Sequence, residues 1–245
     1  MRGRRRFEVT GRALTDRHGR GTHGPASGTV VEGHTRSLGV VAVFVQVFQG
    51  SVGDAAGVER ALDDWVERLA PGAAGWLGST AGVTDDGMFV GVARFASAEA
   101  ARRNSDRPEQ GEWWAATSKF FSGEVVFHDC SEVETARAGG SDEAGFVQVI
   151  QGRTTDVARL RELSAQFGMR LPSLRPDLLG FLVGIHDAGG GMFTEVAYFT
   201  SEDGARHGER QEPPEEAREL LEEEMSLMQD VTYFDLRRPW LHSPR

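Results

Sequence analysis

The chain repeats itself. Phe44-Val45-Gln46-Val47-Phe48-Gln49-Gly50 returns as Phe146-Val147-Gln148-Val149-Ile150-Gln151-Gly152, 102 residues later. The same offset runs through the next segment, pairing Asp54 with Asp156, Val58 with Leu160, Ala61 with Leu163, Trp65 with Phe167 and Leu69 with Leu171. Farther on, Gly75-Trp76 aligns with Gly180-Phe181 at 105, Gly87-Met88-Phe89 with Gly191-Met192-Phe193 at 104, and Phe127 and Asp129 with Tyr233 and Asp235 at 106. An offset that changes only between segments marks two copies of one unit whose connections differ in length.

Each copy reads as strand, helix, strand, strand, helix, strand. Val43 to Gln49 and Phe146 to Gln151 alternate with period two and form first strands. Val58, Ala61, Leu62, Trp65 and Leu69 fall at three- and four-residue spacing, with Glu59, Arg60, Asp63, Asp64, Glu67 and Arg68 on the opposite face, so an amphipathic helix follows. Asp85-Asp86-Gly87 and Gly189-Gly190-Gly191 each join two apolar runs into a hairpin. Ser97 and Ser201 cap the next helices, which Pro108 and Pro213-Pro214 interrupt and restart as Glu109 to Phe121 and Glu215 to Met228. Val125 to Asp129 and Val231 to Asp235 close the units.

That order is the ferredoxin-like plan, in which helices cover one sheet face and leave the other open. An open apolar face must meet a second sheet. The fold class expected is therefore α+β: two tandem ferredoxin-like βαββαβ units, 43–135 and 145–241, joined by a linker at 136–144. They pack as one intrachain pseudo-dimeric α/β barrel of two four-stranded antiparallel sheets.

Composition separates the ends of the chain. Residues 1–40 hold eight arginines against Glu8, Asp16 and Glu32 and show no apolar periodicity, as expected of a disordered basic tail. The rest is more acidic than the overall formal charge of −10. An acidic body repels phosphate backbones, so no nucleic-acid partner is expected of it. The longest apolar run, Val40 to Phe48, is too short for a bilayer, and no membrane partner is expected. Arg4, Arg5 and Phe7 imitate a twin-arginine signal, but a polar, glycine-rich stretch follows them, so the expected location is cytoplasmic. Cys130 is the single cysteine, which excludes an internal disulfide and a thiolate cluster.

Gly-Trp-Leu-Gly at 75–78, Met-Phe-Val-Gly-Val-Ala-Arg-Phe at 88–95 and Glu112-Trp113-Trp114 give the duplicated unit a family likeness. Over residues 43–241 it resembles the dimeric α/β barrel superfamily that includes antibiotic biosynthesis monooxygenases, and most of all the tandem-repeat members of actinobacteria. The resemblance implies the fold but no single reaction, because such members include cofactor-free oxygenases, haem-degrading enzymes, haem peroxidases, isomerases and proteins without activity. Some of its monooxygenases use an Asn, a Trp and an Arg without metal or flavin. Asn104 and Trp113, with Arg94 or Arg107, are the residues here that match those types. Haem-degrading members carry an Asn on the first strand, near where Gln46 and Gln148 stand.

The copies diverge most between Arg102 and Phe121, which points to a site kept in one half only. Asn104, Arg107, Trp113 and Trp114 offer amide groups, a fixed cation and flat apolar surface, suited to a small-molecule ligand. On the first strands, small valines suit packing beneath helices, which places Gln46 and Gln148 in the barrel interior. His128 and His186, at strand ends, are candidates for a general base or, by the resemblance, a haem ligand. The catalytic set read from the sequence is thus Asn104, Trp113 and His128, with Gln46, Gln148, Arg94, Arg107 and Trp114 binding the ligand. The site is expected in the first half, bounded by Gln46, Asn104, Trp113 and His128. No cofactor and no metal are expected, since the histidines show no ligand spacing and no phosphate-binding glycine pattern is present. A cofactor-free small-molecule enzyme, a non-catalytic binding or scaffold barrel, and a haem protein all remain open. The duplication predicts a monomer with an internal pseudo-twofold, or a homodimer of such monomers.

Overall fold

The repeated first strand becomes β1 (Phe44–Ser51) in the first half and β6 (Phe146–Thr154) in the second. The computed structural model describes residues 43–244, so the tail expected at 1–40 lies outside the described residues. Helix α1 (Ala55–Arg68) follows β1 and starts at Asp54, whose carboxylate accepts the Gly57 amide at 2.9 Å. Its counterpart after β6 is α4 (Val157–Leu174).

The hairpins are β2 (Trp76–Val83) with β3 (Met88–Phe95), and β7 (Leu178–Ile185) with β8 (Met192–Phe199). Ser97 caps α2 (Ala98–Ser105) and Ser201 caps α5 (Glu202–Glu209), each hydroxyl accepting a backbone N–H three residues on. Then come α3 (Pro108–Thr117) and β4 (Val126–Cys130) in the first half, and α6 (Glu215–Leu227) and β9 (Met228–Leu236) in the second.

Two more strands correct the expected count. β5 (Glu132–Ala136) follows β4 after Ser131, and β10 (Trp240–His242) follows β9. The sheets are five-stranded and antiparallel, in the orders β10-β2-β3-β1-β4 and β5-β7-β8-β6-β9. Each half thus lends its last strand to the other's sheet, where it pairs with the outer strand of the hairpin, β5 on β7 and β10 on β2. The exchange covers one edge of each sheet and ties the halves through backbone hydrogen bonds. Residues 132–135, the end of the first unit as expected from the sequence, and Ala136, the first residue of the expected linker, therefore belong to the second sheet.

The sheets pack through Val45, Val47, Val90 and Val92 of one and Val147, Val149, Leu182, Val196 and Tyr198 of the other. The Tyr198 and Thr80 hydroxyls meet across this layer at 2.8 Å. Gln151 donates to Gln49, the residue 102 positions before it, at 2.8 Å. This reverses the expected faces: the valines line the barrel interior, and the Phe/Gln face of β1 and β6 lies beneath the helices. Sheets pack about 10 Å apart, where valines fit. Phe44, Phe95 and Trp76 instead fill the deeper layer against α1 and α2, with Trp65, Leu69 and Ala100.

Candidate functional site

A cavity of about 310 Å³ lies between the outer face of the first sheet and helices α1, α2 and α3. Its sheet wall is built by Gln46 and Phe48 of β1, Trp76 and Ser79 of β2, Ala93 and Phe95 of β3, and Phe127 of β4. Leu62 and Trp65 enter from α1, Asn104 and Ser105 from α2, and Gln110, Gly111, Trp113 and Trp114 from α3. None of these side chains is ionisable. Phe127 and Gly111 are exposed and mark the mouth, whereas Trp65, Trp76, Phe95 and Asn104 are buried. Phe127 stacks on Phe48 at 5.8 Å and meets Trp114 edge-on at 5.2 Å. Gly91 lets this wall form, since a Cβ there would sit 2.4 Å from the Phe48 ring.

The polar groups are held from behind. Arg107 donates to the Asn104 Oδ1 and to the Leu69 carbonyl, each at 3.0 Å, and pairs with Glu109. Gln110 Oε1 accepts the Trp65 indole N–H at 2.6 Å and the Asn104 amide at 3.4 Å. Trp113 spends its N–H on the Ala61 carbonyl at 2.8 Å, tying α3 to α1 and leaving its ring as wall. Gln46 Nε2 donates to Asp129 Oδ1 at 2.8 Å.

Of the residues expected at a site, Gln46, Asn104, Trp113 and Trp114 come together here, and Arg107 stands directly behind Asn104. The others do not join them. His128 pairs with Val47 and Arg94 with Val45, so both side chains point from the opposite face of the sheet, between the two sheets. Arg94 is buried there, flanked by Gly78 and Gly140. The His128 ring stacks on His186 at 4.4 Å, and His186 shares a 2.8 Å hydrogen bond with Thr194. Burial lowers the pKa of His128. His186 is pushed down to about 4 by burial and by its histidine neighbour, so both rings are neutral near pH 7. The expected site bounded by Asn104 and His128 is thereby corrected, because the sheet separates them.

Gln148 is on the helix-covered face of the second half, where Phe146, Phe181, Ala197 and Phe199 pack in one buried cluster. Gln148 donates to Asp235 at 3.0 Å, and Arg206 of α5 bonds the same carboxylate while its guanidinium lies 5.2 Å from the Phe146 ring centre. The strand registers show why. Across the first sheet runs the row Ser79, Ala93, Gln46, Asp129, and across the second the row Phe181, Ala197, Gln148, Asp235. Phe181, 4% exposed, fills the space that Ser79 leaves open. β2 and β7 share an irregularity, after Trp76 and after Leu178, so Trp76 matches Leu178 and Gly78 matches Gly180. Matching Gly75-Trp76 to Gly180-Phe181 by residue type therefore concealed Ser79. Gln110, which bridges Trp65 to Asn104, was missed because a lone glutamine on a helix carries no signal of its own.

The second half holds a different buried group. Glu224 of α6 accepts the Ser164 hydroxyl of α4 at 3.2 Å, and Glu195 of β8 lies close enough that burial and Glu224 together raise its pKa well above the carboxylate range. Cys130 is fully buried, and burial pushes its thiol up to about 12, so no thiolate forms near neutrality. Among the described residues no cluster of His, Cys, Asp and Glu is arranged to hold a metal ion. Haem, which the resemblance implies for some relatives, does not fit the cavity, whose lining contains no His, Cys, Met or Tyr to ligate iron. No helix among the described residues is long and apolar enough to cross a membrane.

No protein-family model and no curated protein matches the chain. Solved structures match it as folds. A candidate monooxygenase from Fusobacterium nucleatum superimposes with a TM-score of 0.68 at 9% identity, over 83% of this chain and 95% of that one. A second candidate monooxygenase, from Lactobacillus acidophilus, gives 0.63 at 13% identity, over 82% and 100%. An anthrone oxidase-like protein gives 0.55 at 11% identity, over 82% and 93%. These neighbours are monooxygenase-type α/β barrels, so the fold implied by the sequence resemblance is the one observed.

Proposed function

We propose that the first half binds a planar, uncharged aromatic small molecule and oxygenates it without a cofactor. The observation that carries this reading is the cavity itself, walled by seven aromatic side chains, furnished with amides and hydroxyls, and free of ionisable groups. Such walls stack on flat rings, and the few polar groups fix their orientation. Ligands that carry a full charge on entry are disfavoured, because the lining holds no opposite charge to offset their desolvation.

The chemistry follows from the same lining. With no base inside, water at the cavity mouth takes the proton, so the substrate must be acidic in its own right, such as an aromatic ketone with an activated CH₂. The Asn104 and Gln110 amides then stabilise the oxyanion of its enolate. Dioxygen accepts electrons from that carbanion equivalent. One oxygen atom becomes the new carbonyl and the other leaves as water with the two hydrogens of the CH₂, so the substrate supplies all four electrons. The fold neighbours described as monooxygenases and as anthrone oxidase-like support this class.

The lack of an ionisable group in the lining also favours a second reading, a binding barrel without turnover. Anthrone separates the two. Four of the five tryptophans line the cavity, so a bound ligand quenches their fluorescence to saturation. Oxygenation consumes one dioxygen per anthrone and yields anthraquinone, whereas the binding reading gives quenching alone. The absence of quenching by any flat aromatic probe would remove both.

A further inference from the structure

The amides around the cavity have fixed orientations, because each is held by a partner that can only donate or only accept. Asp129 carboxylate only accepts, so its contact with Gln46 must be made by Nε2, and the Gln46 oxygen is left for a ligand. Arg107 and the Trp65 indole only donate, so the atoms facing them must be the oxygens of Asn104 and Gln110. The N–H groups of those two amides are the ones left over. Asn104 also turns one N–H toward Gln110 Oε1, consistent with the same orientation.

We infer that the cavity has two hydrogen-bonding poles of opposite sense, and that they select the ligand's polarity. At the sheet wall Gln46 presents an acceptor, backed by the Asp129 carboxylate. At the helix wall Asn104 and Gln110 present donors, backed by the Arg107 cation and the Trp65 N–H. Flanking charge strengthens each pole, since a carboxylate behind one amide and a guanidinium behind another polarise them in opposite directions. The preferred ligand carries a hydroxyl or N–H on the edge facing β1 and a carbonyl on the edge facing α2 and α3. Asp129 and Arg107 act as positioning residues, outside the cavity but deciding which amide atoms face it. The second half shows a contrasting arrangement, in which Arg206 neutralises Asp235 and Phe181 occupies the space beside Gln148. This inference rests on the ligand site proposed above and adds the chemical class that the site reads.

The test uses four probes of one shape: anthracene, 2-hydroxyanthracene, 9,10-anthraquinone and 2-hydroxyanthraquinone. Their dissociation constants are measured by tryptophan quenching of the full chain in mildly acidic buffer, where the hydroxyls keep their protons. The hydroxyquinone, which satisfies both poles, is expected to bind roughly tenfold tighter than either single-function probe. In Asp129→Ala nothing holds the Gln46 oxygen, rather than the NH₂ end of the amide, toward the ligand, so the advantage given by the hydroxyl is expected to shrink several-fold. If wild type binds the quinone and the hydroxyquinone equally, or if Asp129→Ala keeps the hydroxyl preference undiminished, the two-pole inference is wrong while the ligand site stands. If none of the four probes binds, the site itself falls, and the inference with it.

Discussion

Ser79 and Phe181 occupy the same register position in the two sheets, Ser79 opposite Ala93 and Phe181 opposite Ala197. One leaves a cavity above the sheet and the other fills it. The chain therefore carries its own comparison, a small and a large side chain at one position of the architecture. Truncating the plug in the closed half tests the assignment from one side. Phe181→Ala is expected to cost about 3–5 kcal/mol, the usual penalty for a buried phenylalanine, without changing ligand affinity in the first half. Urea denaturation and ligand titration of the same variant report the two quantities separately.

Acid should act on the sheet interface through the stacked histidines. His186 has its pKa depressed to about 4 by burial and then by His128, against an ordinary 6.5. The unfolded chain takes up a proton below that ordinary value that the folded chain refuses. Its contribution is thus fully present above about pH 6.5 and is lost as the pH falls toward 4, by roughly 3 kcal/mol at the lower end. His186→Asn, which can still hydrogen-bond Thr194, is expected to lose markedly less stability than wild type between pH 7 and 4. Equal losses in urea melts would show that the stacked pair does not govern acid sensitivity.

Glu195 has the opposite dependence. Its carboxyl is raised from 4.5 to about 8, first by burial and then by Glu224, so the folded chain keeps a proton that the unfolded chain releases. Stability attributable to this group falls as the pH rises from about 4.5 toward 8. Glu195→Gln, isosteric and never charged, is expected to raise stability at pH 8 by about 1–3 kcal/mol and to flatten its decline above neutrality. A variant less stable than wild type at pH 8 would mean that the ionised carboxylate has a partner that this account lacks.

The two exchanged strands should bind the halves together. Trp240 of β10 packs its ring 6.2 Å from Phe89 while pairing with Ala81 across the sheet edge. Trp240→Ala is expected to lower the stability of the whole chain by about 2–3 kcal/mol in one cooperative transition. Two separated transitions in calorimetry would instead indicate halves that unfold independently.

Element order and helix spans were legible because the repeat doubled every signal, and Ser97 and Ser201 cap the helices that follow them, as expected. The faces of the strands were not. Both sides of each sheet are buried, so alternation separates valines from the Phe/Gln set without saying which set meets helices; size decides, through the depth of each layer. Asn104, Trp113 and Trp114 fall in the segment where the copies diverge, and they line one cavity with Gln46, which the second copy keeps as Gln148. His128 was misplaced by a single step of the pleat, since its neighbour Asp129 is the residue that shares a face with Gln46. The exchanged strands escaped notice because their partners lie in the other copy, and no local pattern encodes that choice.

Ligand binding by the first half depends on the cavity above Ser79. Titration calorimetry of 2-hydroxyanthraquinone into wild type and Ser79→Phe is the direct measurement, since the substitution installs in the first half the side chain that closes the second. The expected result is one ligand per wild-type chain and at least a tenfold loss of affinity in Ser79→Phe, with a melting temperature equal to or above that of wild type because the ring fills empty volume. Undiminished affinity in a folded Ser79→Phe chain would place the ligand elsewhere and contradict the account.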